Sequence, residues 1–145
     1  MAPLLATFVD AGVPFAASIA TYLCRAGDLE GGRTYYRAHG APLEHDDEVS
    51  LLAWCHAGEL ALHLGEQALG RAVLPLLEPY AGRNCSVGQA LSDGPVDAYL
   101  AFAAAAAGLG EVARRHAENA ERLAATWRIQ AFGRRFAEMR RRHRF

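Results

Sequence analysis

The chain has 145 residues, 52% of them hydrophobic, which suits one folded domain spanning residues 1–145. No apolar run reaches the roughly 18 residues that a membrane-spanning helix needs, and the N-terminus lacks the basic start of a secretory signal. Residues 1–113 hold 5 Arg against 13 acidic residues, a balance of −8, whereas residues 114–145 hold 10 Arg against 3, a balance of +7. The sequence therefore predicts a cytoplasmic protein with an acidic body, a basic tail and no membrane segment.

Glycine and proline divide the chain into pairs of predicted helices. A short helix is predicted around Pro3–Asp10, and Asp46-Asp47-Glu48 is predicted to begin a later helix, where the helix dipole favours negative charge. Pro75 is predicted to kink its helix. The Gly-, Asn- and Ser-containing stretch 78–93 is predicted to be a loop in which only Val87–Leu91 is ordered. The predicted hairpins span about residues 14–40, 45–80 and 95–126, and a basic helix spans about 128–144.

Three turn glycines, Gly27, Gly65 and Gly108, mark an internal repeat with intervals of 38 and 43 residues. Each glycine has a small residue seven positions before it and another five positions after it. These small residues are Ala20, Gly58 and Ala101 before the turns, and Gly32, Gly70 and Ala113 after them. Small side chains let two antiparallel helices approach closely, so the pattern predicts the contact inside each hairpin.

The spacing resembles the tetratricopeptide repeat. In the middle unit, Trp54, Gly58, Gly65 and Gly70 match that family's aromatic, small, turn and small positions. The third unit has Asp97 where an aromatic residue is usual. The resemblance implies an all-α fold: a tetratricopeptide-like stack of three antiparallel helical hairpins plus a C-terminal capping helix.

A narrower resemblance covers Val13–Thr126. The segments AGDLEGGR, LLEPYAGRN, AYLAF and LGEVARRH occur in an order similar to the repeat region of large actinobacterial ATPase regulators with LuxR-type or adenylate-cyclase domains. The absence of Lys, which is typical of GC-rich coding, agrees with an actinobacterial source. No GxxxxGK[ST] motif occurs, so the resemblance implies only the sensor scaffold. It predicts a non-catalytic protein-interaction or regulatory sensor module, and the alternative is a small-molecule-binding protein of specialised metabolism.

In tetratricopeptide folds the first helix of each hairpin lines a concave groove. The register therefore predicts a mixed polar groove that suits a protein or peptide partner, or else a small molecule. Ordinary surface and inter-repeat packing is the competing interpretation. The predicted groove residues are Thr21, Arg25, Cys55, Glu59, His63 and Phe102.

The C-terminal segment FGRRFAEMRRRHRF combines an apolar stripe with many arginines. Its stripe is predicted to cap the last hairpin, and its basic face is predicted to be solvated or to contact a partner. Nucleic acid is the least favoured partner, and pairing with the acidic body of a second copy would give a homo-oligomer. The arginines of this basic tail are Arg134, Arg135, Arg140, Arg141, Arg142 and Arg144.

Catalytic and metal-binding patterns are weak. His56, Glu59 and His63 share one helix face, but the two histidines are about 10 Å apart along the axis, which disfavours one shared ion. Cys55 and His63 are too far apart along a helix for Cys–His catalysis. Three widely spaced Cys fit reduced thiols better than a disulfide framework. The sequence predicts no metal, no cofactor and no enzymatic activity.

Overall fold

The computed structural model describes residues 15–44, 49–87 and 91–145, and it is mostly helical, which confirms the all-α class. Within these ranges no helix is both long and apolar enough to cross a membrane. The expectations for Pro3–Asp10 and for Asp46-Asp47-Glu48 lie outside the described residues. The helices are α1 (Ala16–Arg25), α2 (Leu29–His39), α3 (Ser50–Leu64), α4 (Gln67–Leu77), α5 (Val96–Ala106), α6 (Gly110–Thr126) and α7 (Gln130–His143).

Left-handed glycines reverse the chain at the three predicted turns. Gly27, Gly65 and Gly108 have φ angles of 91°, 70° and 78°, and a side chain at such a position is strained. Each glycine lies between two helices that pack together: α1 with α2, α3 with α4, and α5 with α6. These pairs fall within the ranges predicted for the hairpins.

Helices α3 and α5 form the centre of the molecule, because nearly every residue of both helices is buried. Helix α5 packs against α3, α4 and α6, and α1 packs against α3. The outer helix α6 contributes only a stripe of alanines to the core, which lets it approach α5 closely. This stripe consists of Ala113, Ala117, Ala120 and Ala124.

The small residues let helix backbones approach each other closely, but the two helices do not always belong to the same hairpin. A Cβ added at Gly32 would lie 3.0 Å from the backbone oxygen of Ala20, inside the first hairpin as predicted. A Cβ at Gly58 would instead lie 2.9 Å from the backbone oxygen of Tyr99, on α5 of the next hairpin. The second hairpin thus uses its small residues to receive α5.

A Gly70→Ala substitution is expected to lower the free energy of unfolding by about 1–3 kcal/mol, since its Cβ has no room. That Cβ would lie 2.6 Å from the backbone oxygen of Ala103. The matched control is Gly133→Ala in α7, where an added Cβ meets nothing within 4 Å. Because alanine favours a helix over glycine, the control should gain about 0.5–1 kcal/mol. Urea unfolding measures both changes, and equal effects of the two substitutions would contradict the close approach.

The segment after α4 is more ordered than the sequence indicated. Helix α4 continues through Pro75 to Leu77, and a short 3₁₀ helix follows at Glu78–Tyr80. Strands β1 (Asn84–Val87) and β2 (Leu91–Pro95) then form an antiparallel pair. The prediction of a loop over 78–93 is therefore wrong where the two strands lie. Each strand is too short to show a clear alternation of polar and apolar residues.

Strand β2 contains a bulge that places one acidic residue. Cys85 pairs with Gly94 and Ser86 pairs with Ser92, so Asp93 is the extra residue between the two pairs. A bulge of this kind turns a side chain away from its regular direction. Here it directs the carboxylate of Asp93 toward α1 and α3.

Helix α7 covers part of the core with an apolar stripe. Phe132, Phe136 and Met139 are buried, and the ring centroid of Phe136 lies 5.4 Å from that of Phe102 on α5. The stripe thus packs where the capping interpretation puts it, while the arginines of α7 remain on its other faces.

Candidate functional site

A buried ion pair joins the end of α1 to the middle of α3. Arg25 donates from Nε and Nη2 to the two carboxylate oxygens of Glu59, at 2.8 and 2.6 Å. The Glu59 side chain is only 1% exposed. Burial alone would raise the pKa of Glu59, but hydrogen bonds from Arg25 and His63 outweigh burial and lower this pKa to about 2. Glu59 is therefore a carboxylate throughout the physiological pH range.

Asp93 extends this pair into a network across four elements. Its Oδ2 accepts hydrogen bonds from His56 Nε2 at 2.8 Å and from the Tyr99 hydroxyl at 2.6 Å. Arg25 Nη2 lies 3.2 Å from the same oxygen. Burial opposes ionisation of Asp93, but these donors and the Arg25 charge hold its pKa well below the usual value. One carboxylate thus connects the β-hairpin to α1, α3 and α5.

Ser18, His56 and Asp93 form a chain of the residue types found in Ser-His-Asp hydrolases. His56 Nδ1 lies 2.8 Å from Ser18 Oγ. Because ionised Asp93 only accepts, His56 Nε2 is the donor, and Nδ1 of a neutral imidazole accepts from the serine hydroxyl. However, Ser18 is 4% exposed and His56 is fully buried. A nucleophile must reach its substrate, so the geometry favours a role in holding α1, α3 and β2 together.

An open groove lies beside this network, between α1 and α7. One part has a volume of about 170 Å³, and a second part of about 280 Å³ contains Asp93 and Ser92. Arg135 lines both parts. We call this feature the α1–α7 groove. Its first part is lined by Cys24, Arg25, Gly27, Glu59, His63, Arg135, Glu138, Met139 and Arg142.

The structure brings together half of the predicted groove residues. Arg25, Glu59 and His63 all line the α1–α7 groove, and His63 Nε2 lies 3.4 Å from Glu59 Oε1. The hypothesis that these three side chains face one shared cavity therefore agrees with the geometry.

The other three predicted groove residues lie in the core, which corrects that part of the prediction. Thr21, Cys55 and Phe102 are buried. Thr21 donates to the backbone oxygen of His56 at 2.9 Å, which joins α1 to α3. Neighbouring helices cover the face that the register had assigned to an open surface.

The basic tail divides into three groups. Arg140 is bound by Glu121 at 2.9 Å and is half-buried. Arg135 and Arg142 line the α1–α7 groove, and Arg135 Nη2 lies 3.4 Å from the Tyr99 hydroxyl. The remaining arginines are exposed and do not contribute to the groove lining given above. These are Arg134, Arg141 and Arg144.

Metal binding and thiol chemistry have little support in the described part of the chain. There, no group of three or more His, Cys, Asp or Glu side chains is arranged to hold a metal ion. Cys24, Cys55 and Cys85 are free and buried. Burial raises the pKa of the Cys55 thiol well above its usual value, which disfavours the thiolate that nucleophilic attack requires.

Sequence reasoning missed Ser18, Asp93 and Tyr99 as members of this site, and it assigned Arg135 to the basic tail rather than to the groove. Asp93 depends on a bulge, for which the sequence has no visible signal. The helical register of α7 did contain one signal, since Arg135 and Arg142 are seven residues apart and therefore share a face.

Comparison of the chain with protein-family models, with curated proteins and with solved structures found no match. The geometry of the network and of the groove is therefore the basis for assigning a function.

Proposed function

We propose that this chain is a non-catalytic interaction module of tetratricopeptide-like type, which binds an extended acidic segment of a partner protein in the α1–α7 groove. The observation that carries the proposal is the pair of groove arginines, Arg135 and Arg142. Among the described residues neither forms an ion pair. The proposed setting is a regulatory sensor in the cytoplasm, which suits three free buried thiols.

The order of helix packing supports a stack of hairpins. Consecutive helices pair around glycine turns, and α3 also contacts α1 and α5, which are the first helices of the adjacent pairs. Side chains from α1, α3 and α7 then line the same groove. The repeat resemblance implies a groove lined by the first helices of the hairpins. Here α1 and α3 supply two of these helices, while α7 lines the groove and α5 contributes no lining residue.

The shape of the groove favours a chain over a compact ligand. Typical small-molecule pockets are closed, mostly apolar and roughly 300–1,000 Å³ in volume. The first part of the α1–α7 groove is smaller, at about 170 Å³, and charged side chains make up most of its lining. The second part shares Arg135 with the first and adds the apolar side chains of Ile129 and Phe132. Two adjacent open parts that share one arginine suit an extended peptide.

The charges of the groove favour an acidic peptide. Arg25 is already neutralised by Glu59 and Asp93, so it contributes mainly to the floor. Arg135 and Arg142 keep donors free for carboxylates, which guanidinium groups bind with two parallel hydrogen bonds. Glu138 lies between them on α7 and provides an acceptor for a peptide N–H.

A small molecule is the second candidate ligand. The deep end of the groove favours a small molecule, because Glu59 and His63 converge there and both side chains are almost completely buried. A compact ligand with a donor group would fit there, but it would make no use of the second part of the groove.

Peptide selection followed by matched variants tests this proposal. A random peptide library is selected on the immobilised chain, and the affinity of selected peptides is measured by fluorescence anisotropy. We expect peptides rich in Asp and Glu, with at least about tenfold weaker binding to R135Q/R142Q, since a hydrogen bond to a charged group contributes about 1.5–3 kcal/mol.

The control variant is R134Q/R141Q, which removes the same charge from the exposed face of the same helix. Its affinity should stay within about twofold of wild type. Equal losses in both variants would indicate general charge attraction and contradict the groove. Selected peptides without acidic residues would contradict the ligand class.

A further inference from the structure

A second cleft lies on α6 and the loop after α4, and it shares no lining residue with the α1–α7 groove. Its volume is about 500 Å³. We call it the His116 cleft. Its lining residues are Ala81, Asp97, Arg115, His116, Glu118, Asn119 and Arg122.

Asp97 forms the floor of this cleft and is held in one position by its hydrogen bonds. It is fully buried, and its carboxylate accepts from the backbone N–H of Gly82 at 2.6 Å, from Asn119 Nδ2 at 2.8 Å and from His116 Nδ1 at 3.0 Å. Burial opposes the charge, but the hydrogen bonds from His116, Asn119 and Gly82 lower the pKa of Asp97 below its usual value. The acidic residue at a position where the repeat family has an aromatic thus organises a polar site.

The hydrogen bond to Asp97 orients the His116 ring. An ionised carboxylate only accepts, so Nδ1 carries the proton and Nε2 points away from Asp97. In the described parts of the chain, no side chain or backbone group hydrogen-bonds to Nε2. The His116 side chain is 14% exposed, which leaves this nitrogen as the accessible part of the ring.

Two arginines, Arg115 and Arg122, line the same cleft as the imidazole. Arg122 donates from Nη2 to Asn119 Oδ1, which anchors Arg122 over the cleft, and Arg115 lines the same cleft without an ion pair among the described residues. Since Asn119 is itself held by Asp97, one buried carboxylate positions both the imidazole and one arginine. The imidazole is therefore held in place before a ligand binds, whereas Arg115 is exposed and can turn toward the ligand.

We propose that the His116 cleft binds the phosphoryl group of a small phosphate monoester. Phosphate presents three oxygens, which match the Arg115, Arg122 and His116 groups in number, and arginine pairs with phosphate through two hydrogen bonds. Its second proton dissociates with a pKa of about 6, so near neutral pH a phosphate monoester carries more negative charge than a sulfate monoester and pairs more strongly with two guanidinium groups. Glu118 on the rim supplies an acceptor for a hydroxyl group of the ligand.

The test follows the His116 ring by ¹H–¹³C NMR while methyl phosphate is added to the full chain at constant ionic strength and pH 7. We expect a saturable shift of the His116 Cε1–H signal, with at least about tenfold weaker binding in R115Q/R122Q. The matched control is R114Q/R141Q, which also removes two charges, at exposed positions that do not line the cleft. The control should retain wild-type affinity.

Methyl sulfate, added in the same way, separates phosphate recognition from general anion binding. Methyl sulfate has the same shape as methyl phosphate but carries only one negative charge at pH 7, so we expect at least about fivefold weaker binding. Equal binding of the two anions would overturn the assignment to phosphate monoesters. An absent or non-saturating shift, or unchanged affinity in R115Q/R122Q, would overturn the site itself, and neither result bears on the α1–α7 groove.

Discussion

Replacing Arg25 with Met is expected to lower the free energy of unfolding by about 3–5 kcal/mol, because the substitution leaves the buried carboxylate of Glu59 without its arginine partner. Glu59 is 1% exposed and receives two hydrogen bonds from Arg25. Asp93 loses the same cation. Urea unfolding at pH 7, followed by circular dichroism, measures the change.

The control for this prediction is the double variant R25M/E59L. Removing both charges leaves an apolar contact of similar volume, and replacing a buried ion pair in this way is often neutral or stabilising. The double variant should therefore recover most of the stability that R25M loses. If R25M costs less than about 1 kcal/mol, or if the second substitution adds to the loss, the pair does not hold α1 against α3.

Acid is expected to destabilise the fold through Glu59. Its pKa is about 2 in the folded protein, against an ordinary value of 4.5. A carboxylate with a lowered folded pKa stabilises the protein above its unfolded pKa, and this stabilisation is lost as the pH falls from about 4.5 toward 2. A difference of this size corresponds to about 3 kcal/mol. Free energies of unfolding at pH 7, 5 and 3 measure the loss.

The variant E59Q separates this effect from general acid unfolding. It should be less stable than wild type at pH 7, and its stability should fall less between pH 5 and pH 3. Asp93, whose pKa is also lowered, remains in the variant and retains part of the pH dependence. An unchanged pH dependence of stability in E59Q would show that Arg25 does not lower the pKa of Glu59.

The helices and their turns could be predicted because local residues determine them. Gly27, Gly65 and Gly108 mark reversals that only glycine accommodates without strain, and apolar periodicity located the helices between them. The strands of the β-hairpin could not be predicted, since they have only four or five residues each and depend on packing of β1 against α3 and of β2 against α5 and α6. The tetratricopeptide-like stack stays a prediction.

The candidate site could be predicted only where helical register suffices. Register placed Arg25, Glu59 and His63 on one surface, and they do share the groove. It also placed Phe102 there, but the rings of Phe136 and Phe145 lie 5.4 and 6.1 Å from its ring and cover it. A single helix does not reveal which neighbour will cover its face.

The central claim is that the α1–α7 groove binds an acidic peptide, and amide NMR shifts measured with a selected peptide test it most directly. The account predicts that the perturbed amides belong to both walls and the floor, including Cys24, His63, Arg135 and Met139. R135Q/R142Q should abolish these perturbations at the same peptide concentration. Perturbations concentrated on α2 and α4, or on the His116 cleft, would contradict the claim.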